Sequence, residues 1–208
     1  MSYKNFIFDI DGTIIDNEAA NLKALQIALD EKGVHVELDE LRFSLGIPSE
    51  VSLKAFGITD IEKTMRMWGS HYQKLCLKNP QKPFSGIEDV IKTLKKNKYT
   101  LGIVTSKDRI EYRDEFENYE ISKYFDGFIC TDDTFYHKPN GEPLLAIIKK
   151  LNINLSETIY IGDAVYDMEC AQNAGVDFGI ALWGAKDLGK FNYYSVILNK
   201  PDDILDLI

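Results

Sequence analysis

The amino-acid sequence predicts an α/β protein with a doubly wound parallel sheet, into which an all-helical segment is inserted. Short apolar runs recur along the chain with the near-continuous hydrophobicity of strands that are buried on both faces, and helical patterns lie between most of them. One long stretch near the N-terminus interrupts this alternation with helical periodicity alone. These observations favour a sheet covered by helices, with a smaller unit between its first two strands.

Six apolar runs are the predicted strands of the sheet. They are Phe6–Phe8, Leu101–Val104, Phe128–Ile129, Ile159–Ile161, Phe178–Leu182 and Val196–Leu198. Two of the segments between them carry apolar residues at helical spacing. The apolar positions are Ile87, Val90, Ile91 and Leu94 in the first segment, and Leu144, Leu145, Ile148 and Leu151 in the second.

Residues 16–82 are the predicted helical cap, which leaves residues 1–15 and 83–208 as the α/β core. A leucine stripe predicts the first cap helix, and Gly33 is placed to end it. Thr59 and Glu62 have the spacing of a capping box, which predicts the start of a longer helix. We interpret the apolar stripe of that helix as packing surface rather than as a ligand site; it consists of Ile61, Met65, Trp68, Tyr72 and Leu75.

Composition narrows the classes of partner. The 208 residues carry a net charge of −9, which argues against nucleic acid or an anionic membrane as partner. No apolar stretch approaches the roughly 20 residues of a membrane span. Cys76, Cys130 and Cys170 are odd in number and far apart, as expected of reduced thiols. With no signal-peptide pattern at the N-terminus, these features predict a cytoplasmic protein.

The first candidate functional segment is Asp9-Ile10-Asp11-Gly12-Thr13, directly after the first predicted strand. Ligands of open α/β sheets bind beyond the carboxyl ends of the strands, so both aspartates belong to the expected site. Such a pair can bind Mg²⁺ or divide the roles of nucleophile and acid/base. An ordinary acidic turn is the alternative, and a calcium loop fits less well because Ala20 stands where it needs a glutamate.

Two further candidates combine hydroxyl and ammonium groups. Thr105 and Ser106 end the second strand and are followed by Lys107, so that a hydroxyl can bind a phosphoryl oxygen or instead cap the next helix. Lys138 precedes a proline, and its extended backbone can project the ammonium towards a charged intermediate, although many such lysines are surface residues.

The last candidate is Gly162-Asp163-Ala164-Val165-Tyr166-Asp167, at the end of another strand. The two aspartates are one helical turn apart and can face one centre. Capping of the following helix by Asp163 is the alternative.

In this order, the four motifs resemble those of the haloacid dehalogenase superfamily, whose core is Rossmann-like. The resemblance covers essentially the whole chain, including the helical cap. It implies that Asp9 attacks phosphorus while Asp11 acts as acid and base. It also implies that Thr105 binds the phosphoryl group, with Ser106 and Lys107 on the substrate side.

The same resemblance implies a Mg²⁺ site formed by the carboxylates of Asp9 and Asp163 and the main-chain carbonyl of Asp11. Lys138 would offset negative charge, and Asp167 would orient it. Because dehalogenating members do not use a second aspartate in this way, Asp11 favours phosphate esters over carbon–halogen bonds.

Within the superfamily the chain is similar to the phosphoglycolate-phosphatase and β-phosphoglucomutase group. Asn21 and Ser49 stand where the mutases have a histidine and an arginine, so we expect a hydrolase. The expected substrate is a small phosphorylated metabolite, and the expected state a monomer or homodimer. Alternatives are a mutase-like phosphotransferase, a pyrophosphatase or nucleotidase, and, outside enzymes, a receiver-like phospho-acceptor module. Trp183 is expected to pack, or else to line the pocket rim.

Overall fold

The computed structural model describes residues 3–44 and 49–208. Residues 1–2, part of the N-terminal segment in which no signal peptide is expected, lie outside them. The chain divides into two compact units, Met1–Asp16 with Pro83–Ile208, and Asn17–Lys82. Asp16, predicted to be the first residue of the helical unit, is instead grouped with the core.

A six-stranded parallel sheet is the centre of the first unit. Its strands are β1 (Asn5–Phe8), β4 (Thr100–Val104), β5 (Gly127–Ile129), β6 (Thr158–Gly162), β7 (Asp177–Ala181) and β8 (Val196–Leu198). Two short strands, β2 (Ile15–Asp16) and β3 (Lys82–Pro83), pair where the chain leaves and re-enters the core. The order across the large sheet is β5-β4-β1-β6-β7-β8, which confirms the predicted doubly wound fold.

Side chains alternate between two hydrophobic layers, one on each face of the sheet. Phe6 and Phe8 of β1 belong to one layer, and Ile7 between them belongs to the other. Helices α4 (Ile87–Lys96), α5 (Arg109–Glu115), α6 (Glu142–Leu151) and α7 (Val165–Ala174) complete this unit. All four apolar residues predicted for α4 are buried. In α6 the prediction was wrong for Leu145, which is 46% exposed, because the helix turns Leu144 and Ile147 to the sheet instead.

The second unit contains α1 (Glu18–Asp30), α2 (Ser49–Ala55) and α3 (Ile61–Lys78). Gly33 has a φ of +77° just beyond α1, and the Val34 amide donates to the Leu29 carbonyl at 3.0 Å. This is the backbone turn that the predicted terminating glycine makes possible. A core of its own holds the unit together, with Leu22, Leu25 and Leu29 buried in it.

The start of α3 differs from the predicted capping box. Its N-cap residue is Asp60, whose side chain caps no backbone amide. The Asp60 carboxylate instead accepts from Lys32 and, at 3.3 Å, from the Thr64 hydroxyl. Met65, assigned to the packing stripe, is 41% exposed. Contacts with a distant lysine therefore override the local capping pattern.

Candidate active site

Three strand tips bring the predicted motifs together. β1 lies between β4 and β6, and Phe8 is in register with Ile103 and with Ile161. Asp9, Thr105 and Asp163 each follow one of these strands directly. Because the strands are parallel, the three motifs meet at one edge of the sheet.

Lys138 and two aspartates form the centre of the site. The Lys138 ammonium donates to Asp9 Oδ1 at 2.8 Å and to Asp167 Oδ1 at 2.7 Å. Its side chain is only 4% exposed, and it lies 5.3 Å from the centre of the Tyr160 ring. Burial lowers the pKa of Lys138, but the carboxylates of Asp167 and Asp9 outweigh burial and raise that pKa. Lys138 is therefore a permanent cation here, as its expected role requires.

Burial also controls the ionisation of Asp9. It raises the pKa of this carboxyl from 3.8 to about 7. The attraction of the Lys138 ammonium opposes this shift, and the repulsion of the Asp167 and Asp11 carboxylates adds to it. The backbone of Asp9 continues the sheet, since its amide donates to the Ile161 carbonyl at 3.0 Å. Asp9 is thus a buried carboxyl on rigid backbone, which suits a nucleophile that must be held in one geometry.

The turn after Asp9 depends on two close approaches. Gly12 has a φ of +77°, and a Cβ there would lie 2.2 Å from Asp163 Oδ2. A Cβ on Gly184 would lie 1.8 Å from the Gly12 carbonyl oxygen. The Thr13 hydroxyl donates to Asp163 Oδ1 at 2.7 Å, and the Trp183 indole donates to the Thr13 carbonyl at 2.9 Å. Trp183 therefore holds the turn with a hydrogen bond, while its ring packs against the hydrophobic core, as in the first of its two expected roles.

Helix capping, the alternative role considered for Thr105 and for Asp163, is carried out by other residues. Helix α5 is capped by Asp108, and the Thr105 hydroxyl accepts from the Lys107 amide at 3.2 Å. At α7 the Ala164 amide donates to Asp167 Oδ2 at 3.1 Å. Thr105 and Asp163 are thus placed at strand tips without capping the helices that follow them.

Lys107 is buried, unlike its neighbour Ser106, which is exposed. The Lys107 ammonium lies 2.8 Å from Asp11 Oδ2 and 2.6 Å from Glu115 Oε2. Of the three side chains in these ion pairs, that of Asp11 is the most exposed, at 36%. Positive charge therefore reaches this acidic protein's site through Lys107 as well as Lys138.

The carboxylates at the centre fit a hard divalent cation. Oxygens of Asp9, Asp163 and Asp167 lie within 4.8 Å of one another. Burial raises the pKa of Asp163 well above its ordinary value, with further repulsion from Asp167 and Asp9, while the Thr13 hydroxyl opposes the shift. A group of mutually repelling carboxylates is the donor set that Mg²⁺ prefers. Asp167 is in this group although the expected ligands were Asp9, Asp11 and Asp163.

A second group of metal-type side chains is less suited to a cation. It comprises Cys130, Asp132 and Asp133. Arg109 pairs with Asp133, and its amide donates to Asp132 Oδ1 at 3.2 Å. Burial raises the pKa of the Cys130 thiol to about 12, so that it stays protonated.

Two participants, Tyr160 and Glu115, were not expected from the sequence, and Thr13 was part of a motif but was expected to have no role of its own. The Tyr160 hydroxyl lies 2.8 Å from Asp167 Oδ1 and 3.1 Å from the Val104 carbonyl oxygen. Thr13 contacts Asp163, and Glu115 contacts Lys107. A tyrosine in an otherwise aliphatic buried strand was the available signal for the first, because a buried phenol needs a polar partner. Thr13 belongs to the first candidate segment, which already marked it, whereas nothing local marks Glu115.

Comparison with known proteins places this site in a family. The profile described as "Haloacid dehalogenase-like hydrolase" matches residues 6–181. A Clostridium perfringens protein named "Putative pyrophosphatase PpaX" is 30% identical over 99% of this chain and 97% of its own length. A "Phosphoglycolate phosphatase" from Agrobacterium fabrum is 28% identical over 96% of this chain and 87% of its own.

Structural comparison agrees with the sequence matches. A crystal structure from Lactobacillus plantarum, described as a "putative phosphoglycolate phosphatase", covers 100% of both chains with a TM-score of 0.89 at 28% identity. The chain therefore belongs to the haloacid dehalogenase-like hydrolase family, which confirms the resemblance inferred from its motifs.

Among the helices of residues 3–44 and 49–208, none combines the length and apolar character needed to cross a bilayer.

Proposed function

We propose that the protein is a Mg²⁺-dependent phosphatase that hydrolyses small phosphate monoesters through a phosphorylated Asp9. The observation that carries this proposal is the position of Asp9 itself. Its carboxyl follows the central strand β1, lies 2.8 Å from the Lys138 ammonium and shares a group with Asp163 and Asp167. A held carboxylate beside a fixed cation is suited to covalent phosphoryl transfer.

In the first proposed step a carboxylate oxygen of Asp9 bonds to phosphorus, and the bond from phosphorus to the ester oxygen breaks. The leaving oxygen takes the proton of the Asp11 carboxyl and departs as an alcohol. In the second step Asp11 takes a proton from water, the water oxygen bonds to phosphorus, and the bond to Asp9 breaks. Inorganic phosphate leaves, and both aspartates return to their starting states.

The remaining residues stabilise charge. Lys138 is held by Asp167 and offsets the negative charge of the transferring group. The Thr105 hydroxyl is proposed to bind a phosphoryl oxygen, with Ser106 and Lys107 on the substrate side. Mg²⁺, when bound, would supply further charge neutralisation, and the proposed ligands are Asp9, Asp163 and the Asp11 carbonyl.

The first substrate to test is a phosphoglycolate-like monoester, because a second anionic group suits a site with two buried lysines. Pyrophosphate is the second candidate, favoured by the 30% identity to the protein named as a pyrophosphatase. In the helical unit, Asn21 Oδ1 accepts from the Trp68 indole at 2.9 Å, and Ser49 begins α2. Neither side chain is basic, which supports a hydrolase over a mutase-like phosphotransferase.

The test is release of inorganic phosphate from small monoesters, pyrophosphate and nucleotides, with β-glucose 1-phosphate and a bisphosphate activator as the mutase assay. Asp9→Asn is expected to abolish turnover, and Asp206→Asn, at an exposed position, to leave it unchanged. Turnover by the Asp9 variant within tenfold of wild type would refute the nucleophile. Isomerisation faster than phosphate release would favour the mutase. A stable phosphoprotein without turnover would favour the receiver-like module.

Cytoplasmic location and a monomeric or homodimeric state stay predictions.

A further inference from the structure

Lys107 joins Asp11 to a glutamate outside the four motifs. Its ammonium lies 2.8 Å from Asp11 Oδ2 and 2.6 Å from Glu115 Oε2. The side chains of Lys107 and Glu115 are 9% and 13% exposed, whereas that of Asp11 is 36% exposed. Two buried charged groups, those of Glu115 and Lys107, thus lead to a partly exposed carboxylate of the site, that of Asp11.

Helix α5 determines where Glu115 lies. The helix begins at Arg109, its N-cap is Asp108, directly after Lys107, and its first turn is closed by a reciprocal capping box. Asp108 accepts from the Glu111 amide at 2.8 Å, and Glu111 Oε2 accepts from the Asp108 amide at 2.9 Å. The Glu111 side chain therefore caps the N-terminus of α5. Glu115, one turn further along the same face, reaches the ammonium.

A glutamate is a costly residue in this position. Burial raises the pKa of Glu115, with Lys107 opposing the shift and Asp11 and Glu111 adding to it. A buried carboxylate is disfavoured unless it is paired, and an apolar residue of similar size would pack without that cost. The charge of Glu115 is therefore better explained by what it does to Lys107 than by the stability of α5.

We propose that Glu115 is a positioning residue that holds the Lys107 ammonium against Asp11 Oδ2, and so orients the carboxyl that exchanges protons with the leaving group. This inference rests on the proposed phosphatase function. A partly exposed carboxyl on a turn samples several rotamers, whereas proton transfer needs the carboxyl within hydrogen-bond reach of one oxygen. Anchoring one carboxylate oxygen from a rigid helix restricts that sampling.

The test compares leaving groups. An alkyl phosphate without a second charged group, such as ethyl phosphate, must receive a proton as it breaks, whereas p-nitrophenyl phosphate releases a stable anion with little help. The ratio kcat/KM reports the steps up to the first bond cleavage. We expect Glu115→Gln to lower kcat/KM about tenfold for the alkyl phosphate and less than about threefold for p-nitrophenyl phosphate, since acid catalysis contributes roughly 10²–10⁴ in rate.

A matched control and a double variant separate positioning from general damage. Glu117→Gln removes the same charge from an exposed position and is expected to change neither rate. Lys107→Met should reproduce the leaving-group dependence, and adding Glu115→Gln to it should cause no further loss, because the two residues act in series.

Equal losses for both substrates, no loss, or multiplicative losses in the double variant would each overturn the inference. If Glu115→Gln does not fold, as judged by its melting curve, Glu115→Asp keeps the charge and shortens its reach. That variant should show the same substrate dependence in weaker form, and an equal loss on both substrates would again refute positioning. A wild-type protein that hydrolyses no phosphate compound would overturn the proposed function, and this inference with it.

Discussion

Replacing Asp9 with asparagine is expected to make the metal-free protein more stable relative to wild type as the pH rises from mild acid to mild alkali. The quantity compared is the free energy of unfolding. Burial raises the pKa of the Asp9 carboxyl to about 7 in the folded protein, although the Lys138 ammonium opposes the shift. The ordinary value is 3.8, which the unfolded chain should show. Ionising this side chain therefore destabilises the folded state, whereas an asparagine has no proton to lose.

The sign and size of the effect follow from that difference. Because the folded pKa is the higher one, the stability linked to protonated Asp9 is complete below about pH 4 and is lost as the pH rises through 7. At about 1.4 kcal/mol per pKa unit, a shift of about three units amounts to about 4 kcal/mol. Roughly 3 kcal/mol of this loss falls between pH 5 and pH 8.

Urea unfolding in the presence of a chelator measures the effect. The free energy of unfolding of Asp9→Asn minus that of wild type should increase by about 3 kcal/mol from pH 5 to pH 8. The exposed Asp206→Asn variant should show no such change. Adding Mg²⁺ at pH 8 should then stabilise wild type more than Asp9→Asn, because the cation favours the ionised carboxyl. A difference that stays constant with pH, or that decreases, would refute a raised pKa for Asp9 in the folded protein.

Three other predictions concern activity and the turn. Turnover should require Mg²⁺ and be inhibited by Ca²⁺, whose longer bonds and higher coordination number loosen in-line geometry; full activity after exhaustive chelation would contradict the metal site. Asp11→Asn should slow phosphorylation of the enzyme by an alkyl phosphate more than by p-nitrophenyl phosphate, and equal losses in single-turnover experiments would exclude the proton-transfer role. Gly184→Ala should lower the melting temperature and the activity together, because its Cβ would lie 1.8 Å from the Gly12 carbonyl oxygen. Gly69→Ala, at a helical position with open space, should raise the melting temperature slightly, and equal behaviour of the two variants would contradict the close approach.

The sequence by itself determined the fold class and the edge of the sheet where the motifs meet. Each strand is a short apolar run, and burial on both faces makes that signal local. Asp9, Thr105 and Asp163 follow such runs directly, and parallel strands place their carboxyl ends together. The resemblance to the hydrolase family rests on the same short motifs and was confirmed.

Only the tertiary structure decided which charges pair. Lys138 bonds to Asp9 across 129 residues of sequence, a contact that depends on the order of the strands. The Lys107–Glu115 contact is local in sequence but depends on how the capped α5 is oriented. No periodicity encodes such distances.

The same reason explains the local errors. Asp60 was predicted to lie within a capping box, yet its carboxylate accepts from Lys32, which is 28 residues away. Leu145 fits a helical stripe, yet the rotation of α6 against the sheet leaves it exposed. Local patterns report which residues favour a strand or a helix, whereas packing determines how an element is turned and which polar partner each side chain meets.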